Sequence, residues 1–377
     1  MIIYPAEFKP QQEALFAALG AADGGAMRLR MIPLSLRDYP ETAARVAVAM
    51  ARAKRQPQGV ARWVKAQLIR AQYNGARRLF AAHPGAVGVV WNGLGGSRQA
   101  FAMAARDAGC GVLFCELAPF PNRITVDPLG VNAEGSAVLA DVSATDAGDG
   151  WRALGLGMTA RMSRRADVGQ AAGTPQGRYL FCPLQVPGDS QVTLFAGWTG
   201  GMSGFLAALT TAASHLPPGW HLRVKEHPSA RSSLRAALAP LIAMGRVILD
   251  NATDSLTQIA GSAGVVTLNS SMGLQAFFQD KPVVVLGRAL FARPGLATLA
   301  GDQAALNAAF AAPDHLTFDP DLRARFMNWL DQVYYPRFAV PPGTADLSAM
   351  TEKLRQARNI ALSPFPAPPF GLTAPSP

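Results

Sequence analysis

Three short polar stretches stand out in the second half of the chain, each directly after an apolar run. The first is Gln185 and Asp189 in "PLQVPGDSQV", which follows Tyr179-Leu180-Phe181-Cys182. The second is Lys225, Glu226, His227 and Pro228 in "VKEHP". The third is Asn269, Ser270 and Ser271 in "TLNSSMGL", with Gly273 two residues on. A carboxylate such as Asp189, given turn freedom by Gly188, can act as nucleophile or base. It can equally close an Asx-type turn. An imidazole fixed by a following proline can donate to a leaving phosphate; the plain alternative is a solvated strand end. Lys225 and Glu226 are neighbours on a strand and point to opposite faces. Serines at a strand-to-helix turn offer donors to an anion, or they simply cap the helix.

The first half has strand-end groups of its own. "VVWNGLGGSRQAF" places Asn92 and Gly93 between a strand and a helix, but the G-x-G-x-x-G spacing of a dinucleotide loop is missing. "CELAPFPN" puts Glu116 at the next strand end, either as an acid/base or as an ordinary terminal charge. "VDPLGVN" adds Asp127 and Asn132.

These groups need elements to hold them. In the first half, strands are expected at 26–34, 86–94 and 111–118, helices at 38–54 and 97–109, and mostly loop from 119 to 150. After "QAAGTPQG" the rhythm restarts with strands at 178–185, 221–228, 246–250, 264–269 and 282–287. Helices are expected at roughly 202–214, 230–243, 254–262 and 270–280. That alternation defines an α/β chain with doubly wound parallel sheets, whose ligands bind outside the carboxyl ends of the strands. Two such halves suggest the GT-B architecture, with two Rossmann-like domains facing a central cleft. The expected divisions are 1–175, 176–340 and a segment 341–377 ending in a proline-rich tail that is extended or disordered.

At 377 residues and 49% hydrophobic content the chain has material for two cores. The net charge of +10 favours anionic partners. Nucleic acid is not expected among them, because aromatics are only 8% and no recognised motif appears. No run approaches ~18 uncharged apolar residues, and the start lacks a basic segment followed by an apolar one. Neither a membrane span nor a signal peptide is therefore expected. Cys110, Cys115 and Cys182 have no metal-like spacing and read as buried thiols of a reducing cytoplasm.

Residues 51–80 carry eight basic residues and no acid. The helix proper is expected to begin near residue 60, after Pro57 and Gly59. At ~100° per residue Arg62, Arg70 and Arg77 share one side, and Val60, Val64, Leu68 and Ala71 gather opposite. The first expectation is that this apolar stripe packs on the sheet. The second is an electrostatic contact with anionic lipid or a phosphorylated acceptor.

Taken in order from about residue 86 to 291, "CELAPFPNRITVDPLGVN", "PLQVPGDSQV", "VKEHP" and "TLNSSMGLQAFFQDKPVVVLGRALF" resemble the bacterial capsule polysaccharide biosynthesis family. Its members include the β-Kdo glycosyltransferases of the capsule lipid linker. Residues 1–85 and the tail carry no motif of this kind. The resemblance implies a GT-B fold, CMP-Kdo as donor substrate, a lipid-linked acceptor, retention at the anomeric carbon, and neither metal nor other cofactor. It implies Asp189 as nucleophile and Glu116 as acid/base. His227, Ser270 and Ser271 would hold the CMP phosphate, joined in donor binding by Gln185, Lys225, Asn269 and Gly273. Asn92, Gly93, Asp127 and Asn132 would serve the acceptor or the sugar. Other capsule biosynthesis proteins are expected as partners. The implied location is cytoplasmic, extending to a peripheral position on the inner face of the cytoplasmic membrane. The competing readings keep the fold but use another nucleotide sugar, as transferase or epimerase, or make the chain a non-catalytic capsule assembly or export protein.

Overall fold

The computed structural model describes residues 1–158, 163, 165–169, 171, 173–338 and 344–361. They form two compact units. The first comprises residues 1–116, 125–131 and the described residues from 337 onward, and the second residues 117–124 and 132–336.

The first unit is built from β1 (Ile2–Pro5), α1 (Pro10–Ala22), β2 (Ala26–Leu29), α2 (Thr42–Ala51), α3 (Gly59–Ala81), β3 (Val87–Trp91), α4 (Gly96–Asp107), β4 (Gly111–Leu117) and β5 (Ile124–Asp127). Its sheet runs β2-β1-β3-β4-β5, with β1 parallel to β2 and β3, and β3 parallel to β4. In β3, Val87, Val89 and Val90 are fully buried, as a strand covered on both faces requires. Gly88 lets the covering helices approach, since a Cβ there would lie 3.0 Å from the Phe80 ring and 3.2 Å from Ala105.

The second unit contains β6 (Arg178–Pro183), α5 (Ser190–Phe195), α6 (Met202–Ala213), β7 (Trp220–Lys225), α7 (Arg235–Ala243), β8 (Val247–Leu249), α8 (Ser255–Gly261), β9 (Gly264–Thr267), α9 (Met272–Phe277), β10 (Val283–Val285), β11 (Thr298–Leu299), α10 (Gln303–Ala311) and α11 (Pro320–Trp329). The strand order is β11-β10-β9-β6-β7-β8, and every pairing is parallel. Counted from β6, this is the doubly wound order in which the chain starts centrally, winds to one edge and then crosses to the other. The reversal falls between β6 and β9. Apolar clusters fill both faces of this sheet. Leu180, Leu222 and Val266 lie on one, and Tyr179, Phe181 and Val265 on the other. The alternation along β6 is the two-residue period of a strand. A last helix, α12 (Thr344–Ala361), returns to the first unit and packs close to β4, where a Cβ on Gly111 would lie 2.8 Å from the Ala357 carbonyl.

The domain boundary differs from the expected one at 175/176. It lies at 131/132, with a short excursion at 117–124, and the described part of 341–377 is no separate segment. The physical reason is burial. Val142, Trp151 and Leu154 insert into the cluster with Phe277, Phe291 and Phe326, and Trp151 lies 5.2 Å from Phe278. The glycine- and proline-rich stretch near 170 looked like a linker but is tied down, because Ala171 bridges to Thr253. The proline-rich tail, residues 362–377, falls outside the described residues. The elements β1, α1, α5, β11, α10, α11 and α12 were not anticipated from the sequence, and β1 takes an interior place in its sheet. The loop expected over 119–150 also contains β5 and short 3-10 turns.

Candidate functional site

Four strand ends of the second sheet open into one cavity of about 420 Å³. Pro183 and Leu184 come from β6, Lys225 to Pro228 from β7, Asp254 from the loop after β8, and Ser270 to Met272 from the turn after β9. Residues 118–121 and 157–158 complete the wall. The cavity therefore sits at the carboxyl ends of the strands, beside the point where the winding reverses. That is where open α/β sheets bind ligands, and the volume is that of a small-molecule site.

His227 is half-buried, in a turn closed by the Ala230 N–H donating to the His227 carbonyl at 2.9 Å. Its Nδ1 accepts from the Ser229 N–H at 3.0 Å. A backbone N–H can only donate, so the neutral ring carries its proton on Nε2. Ser270 is held by its N–H donating to Thr267 Oγ1 at 3.0 Å, and its own Oγ accepts from the Met272 N–H at 3.2 Å. The cap residue of α9 is Ser271, which makes no side-chain cap bond. The Ser271 side chain is exposed and is left to meet a ligand.

Lys225 lines the same cavity, yet its ammonium is committed inward. Nζ donates to the carbonyls of Gly169 at 2.8 Å, Asn251 at 3.0 Å and Thr253 at 2.5 Å. All three donors are used, and burial pushes its pKa down, with Asp250 and Asp254 opposing. The expected role in donor binding gives way to a structural one, fastening the 169–171 stretch to the end of β7. Glu226 also lines the cavity, but its carboxylate is taken up by a network of its own. Its buried carboxylate accepts from Arg165 at 2.9 Å, Asn251 at 2.7 Å, Ser233 and the Leu234 N–H. Burial works against its ionisation, but Arg165 and the other donors outweigh this and hold the carboxyl below its ordinary range.

Gln185 and Asn269 do not line the cavity. They are buried beside it and bonded to each other, Gln185 Nε2 donating to Asn269 Oδ1 at 2.8 Å. Asn269 Nδ2 in turn donates to the carbonyls of Gln191 at 2.8 Å and Phe195 at 3.0 Å. Both residues position the turn and do not face the cavity. Gly273 is likewise a packing position, since a Cβ there would lie 2.6 Å from the Phe291 ring. Asp189 is exposed and caps α5, accepting from the Gln191 N–H at 2.9 Å. It is not among the residues that line the cavity. Gly188 is outside the left-handed region, so the turn is made without glycine's special freedom; the Asp189 N–H donates to the Val186 carbonyl at 2.9 Å.

In the first unit, Asn92 and Gly93 both sit in the left-handed region at φ 62° and 73°. Asn92 Nδ2 donates to Glu116 Oε1 at 3.2 Å, so these two strand-end groups meet. A Cβ on Gly93 would lie 2.6 Å from the Phe114 ring, so this glycine answers a backbone demand. Asp127 is fully buried and accepts from the N–H groups of Leu129 at 2.7 Å and Gly130 at 3.2 Å, with the buried Lys353 close enough to feel its charge. It shapes a turn. Asn132 stands at φ 57° and belongs to the second unit, where it opens a 3-10 turn.

Asp254 also lines the cavity, although the sequence did not single it out. Asp254 was read from "DSLTQIAGS" only as the start of a helix. It does cap α8, Oδ2 accepting from the Thr257 N–H at 2.8 Å, but among the described residues its buried Oδ1 has no partner. A buried acceptor of this kind is costly unless something donates to it. Its position on the cavity wall supplies the place for a hydroxyl or amino group. The signal available was an acid following the third strand of a doubly wound sheet.

The fold is of the GT-B type. Among solved structures the chain is similar to the β-Kdo 2,7 transferase of Thermosulfurimonas dismutans KpsC, with a TM-score of 0.53 over 94% of this chain and 99% of that one, at 13% sequence identity. Residues 152–337 match the family model described as capsule polysaccharide biosynthesis protein, which places this part of the chain in the capsule polysaccharide biosynthesis family. It is 31% identical to protein FixF of Sinorhizobium fredii over 261 residues, covering 67% of this chain and 61% of FixF. It is 29% identical over 143 residues to the capsule polysaccharide modification protein LipB of Neisseria meningitidis, covering 36% of this chain and 33% of LipB. The chain thus spans about three fifths of FixF and a third of LipB.

Proposed function

We propose that the chain is a retaining β-Kdo glycosyltransferase, moving Kdo from CMP-Kdo to a lipid-linked acceptor in synthesis of the capsule polysaccharide linker. The observation that carries this reading is the grouping of His227, Ser270 and Ser271 around one cavity at the strand ends of the second sheet. These are neutral or weakly basic donors. Among the described residues the cavity wall contains no arginine, and its one lysine is spent on carbonyls. Such a set suits the single negative charge of a sugar-nucleoside monophosphate better than the larger charge of a diphosphate. The family and the β-Kdo transfer of the similar KpsC structure agree with the choice of sugar.

In this reading the Asp189 carboxylate attacks the anomeric carbon, and the bond to the phosphate oxygen breaks with its electron pair leaving on CMP. The proton on His227 Nε2 and the hydroxyls of Ser270 and Ser271 stabilise that charge as it develops. Asp254 Oδ1 accepts from a hydroxyl or amino group of the nucleoside. Glu116, held by Asn92, takes the proton of the acceptor hydroxyl, whose oxygen then displaces Asp189 from the anomeric carbon. Two displacements restore the starting configuration. No step needs a metal ion.

Calorimetric titration with CMP and UDP tests the donor assignment. CMP is expected to bind at least as tightly as UDP. His227→Gln and the pair Ser270→Ala/Ser271→Ala should each weaken CMP by about tenfold, the loss of one or two bonds to a charged group. A clear preference for UDP, or unaltered CMP binding in both variants, would contradict it.

A further inference from the structure

The apolar stripe on α3 does not face the core. The buried residues of this helix are Ile69, Tyr73, Asn74, Gly75, Ala76 and Phe80, all in its later part, where it packs against α2 and α4. The first three turns run clear of the core. There Val60 is 78% exposed, Trp63 63%, Val64 53% and Leu68 46%. The spacing of 60, 63, 64 and 68 places all four on one helix face. The loop before α2 extends the same surface. The Ser35 N–H donates to the Ala71 carbonyl at 2.9 Å, which lays Leu34 (52% exposed) and Leu36 (93%) alongside the stripe. Monomeric proteins seldom leave so many large apolar side chains together in water.

The charges around this patch are of one sign. Arg37, Lys54, Arg55, Arg62 and Lys65 lie on it or beside it, and among the described residues none of them makes an ion pair. The nearby acids are already matched. Asp38 pairs with Arg70 and accepts from Asn74, and Glu41 pairs with Arg77. Two copies of this chain meeting face to face would set five uncompensated cations against five. An extended anionic surface with an apolar interior fits both halves of the pattern. A helix carrying Trp and branched aliphatic residues on one face and Lys/Arg around it lies in the headgroup region of a bilayer, its indole at the boundary.

We propose that the first domain docks on an anionic lipid bilayer through the early turns of α3 and the loop carrying Leu34 and Leu36. Val60, Trp63, Val64, Leu68 and the two leucines enter the headgroup region, while the five cations meet lipid phosphates. The proposal stands apart from the transfer reaction, because the vesicles that test it contain neither donor nor acceptor.

The test is co-sedimentation of the full chain with two vesicle types, phosphatidylcholine alone and equal parts phosphatidylcholine and phosphatidylglycerol. The chain should bind the mixed vesicles and not the neutral ones, and raised salt should release it. Arg62→Gln/Lys65→Gln should weaken binding about tenfold or more, at roughly fivefold per charge removed. Trp63→Ser/Val64→Ser should weaken it comparably, and both pairs are exposed enough for circular dichroism to match the wild type. Light scattering reports the competing occupant. Equal binding to both vesicle types, wild-type binding by both variants, or a dimer that Trp63→Ser/Val64→Ser dissociates without any vesicle binding would each overturn the proposal.

Discussion

Gln185 and Asn269 tie the end of β6 to the end of β9, Gln185 Nε2 donating to Asn269 Oδ1 at 2.8 Å and the Asn269 N–H to Gln185 Oε1 at 3.4 Å. The two strands flank the reversal of the sheet, and the cavity opens beside their carboxyl ends. Asn269 also satisfies the carbonyls of Gln191 and Phe195, so it fixes where α5 starts and, through the Gln191 N–H, where the Asp189 carboxylate stands. The polar pair acts through position.

Asn269→Ala removes three side-chain bonds at a buried point and leaves the Gln185 amide nitrogen without its acceptor, while the Phe195 carbonyl keeps the Arg288 N–H. We expect a loss of about 2–4 kcal/mol in stability, read as a fall in the urea midpoint at constant slope. A change under ~0.5 kcal/mol, the range of ordinary surface substitutions, would show that the pair is not structural.

Asp254 separates nucleoside binding from chemistry. Asparagine preserves the cap on α8 but replaces one carboxylate oxygen with a donor. Asp254→Asn should raise KM for the nucleotide sugar about tenfold, with kcat within about twofold and an unchanged Tm. Steady-state kinetics with the donor varied would show this. A kcat loss at constant KM would place Asp254 in the transition state instead.

His221 gives the second domain a pH dependence that is independent of the site. Its ring stacks on Tyr179 at 5.4 Å and its buried Nε2 has no partner. Burial, and then Arg223, hold its pKa below the ordinary 6.5. A base with a depressed folded pKa stays neutral in the fold while the unfolded chain takes up a proton. Its cost is therefore absent above 6.5 and grows as pH falls below that value. Stability should drop as pH falls below 6.5, and His221→Phe, which keeps the stack, should flatten that slope in Tm. An identical slope in the variant would remove His221 from the effect.

Much of the second domain was legible because its strands are near-continuous apolar runs. Leu180-Phe181-Cys182 and Val265-Val266 are buried on both faces, and the helices between them begin and end near the expected residues. β11 has two residues and gives no such signal. The three strand-end clusters fell where a doubly wound sheet puts its ligand, but residue type did not reveal which atoms face it. Lys225 and Gln185 look like ligand-binding groups and spend their donors on the protein, while Asp254 looked like a plain cap. The start of α3 near residue 60 was readable from Pro57 and Gly59. The direction of its apolar stripe was not, because a helical wheel shows that two faces differ and not which of them meets a core. Ile69, Tyr73, Ala76 and Phe80 settle that in the opposite sense. The extent of the domains was hidden for a similar reason, since Trp151 and Leu154 join their core from a stretch with little regular structure.

The most direct test of the account is transfer from CMP-Kdo to a synthetic lipid-linked acceptor by wild type and Asp189→Asn. Asparagine still caps α5, so folding and CMP binding should persist while the nucleophile is gone. The account predicts that transfer falls by at least ~10³-fold, with CMP affinity unchanged. Wild-type turnover by Asp189→Asn would contradict it.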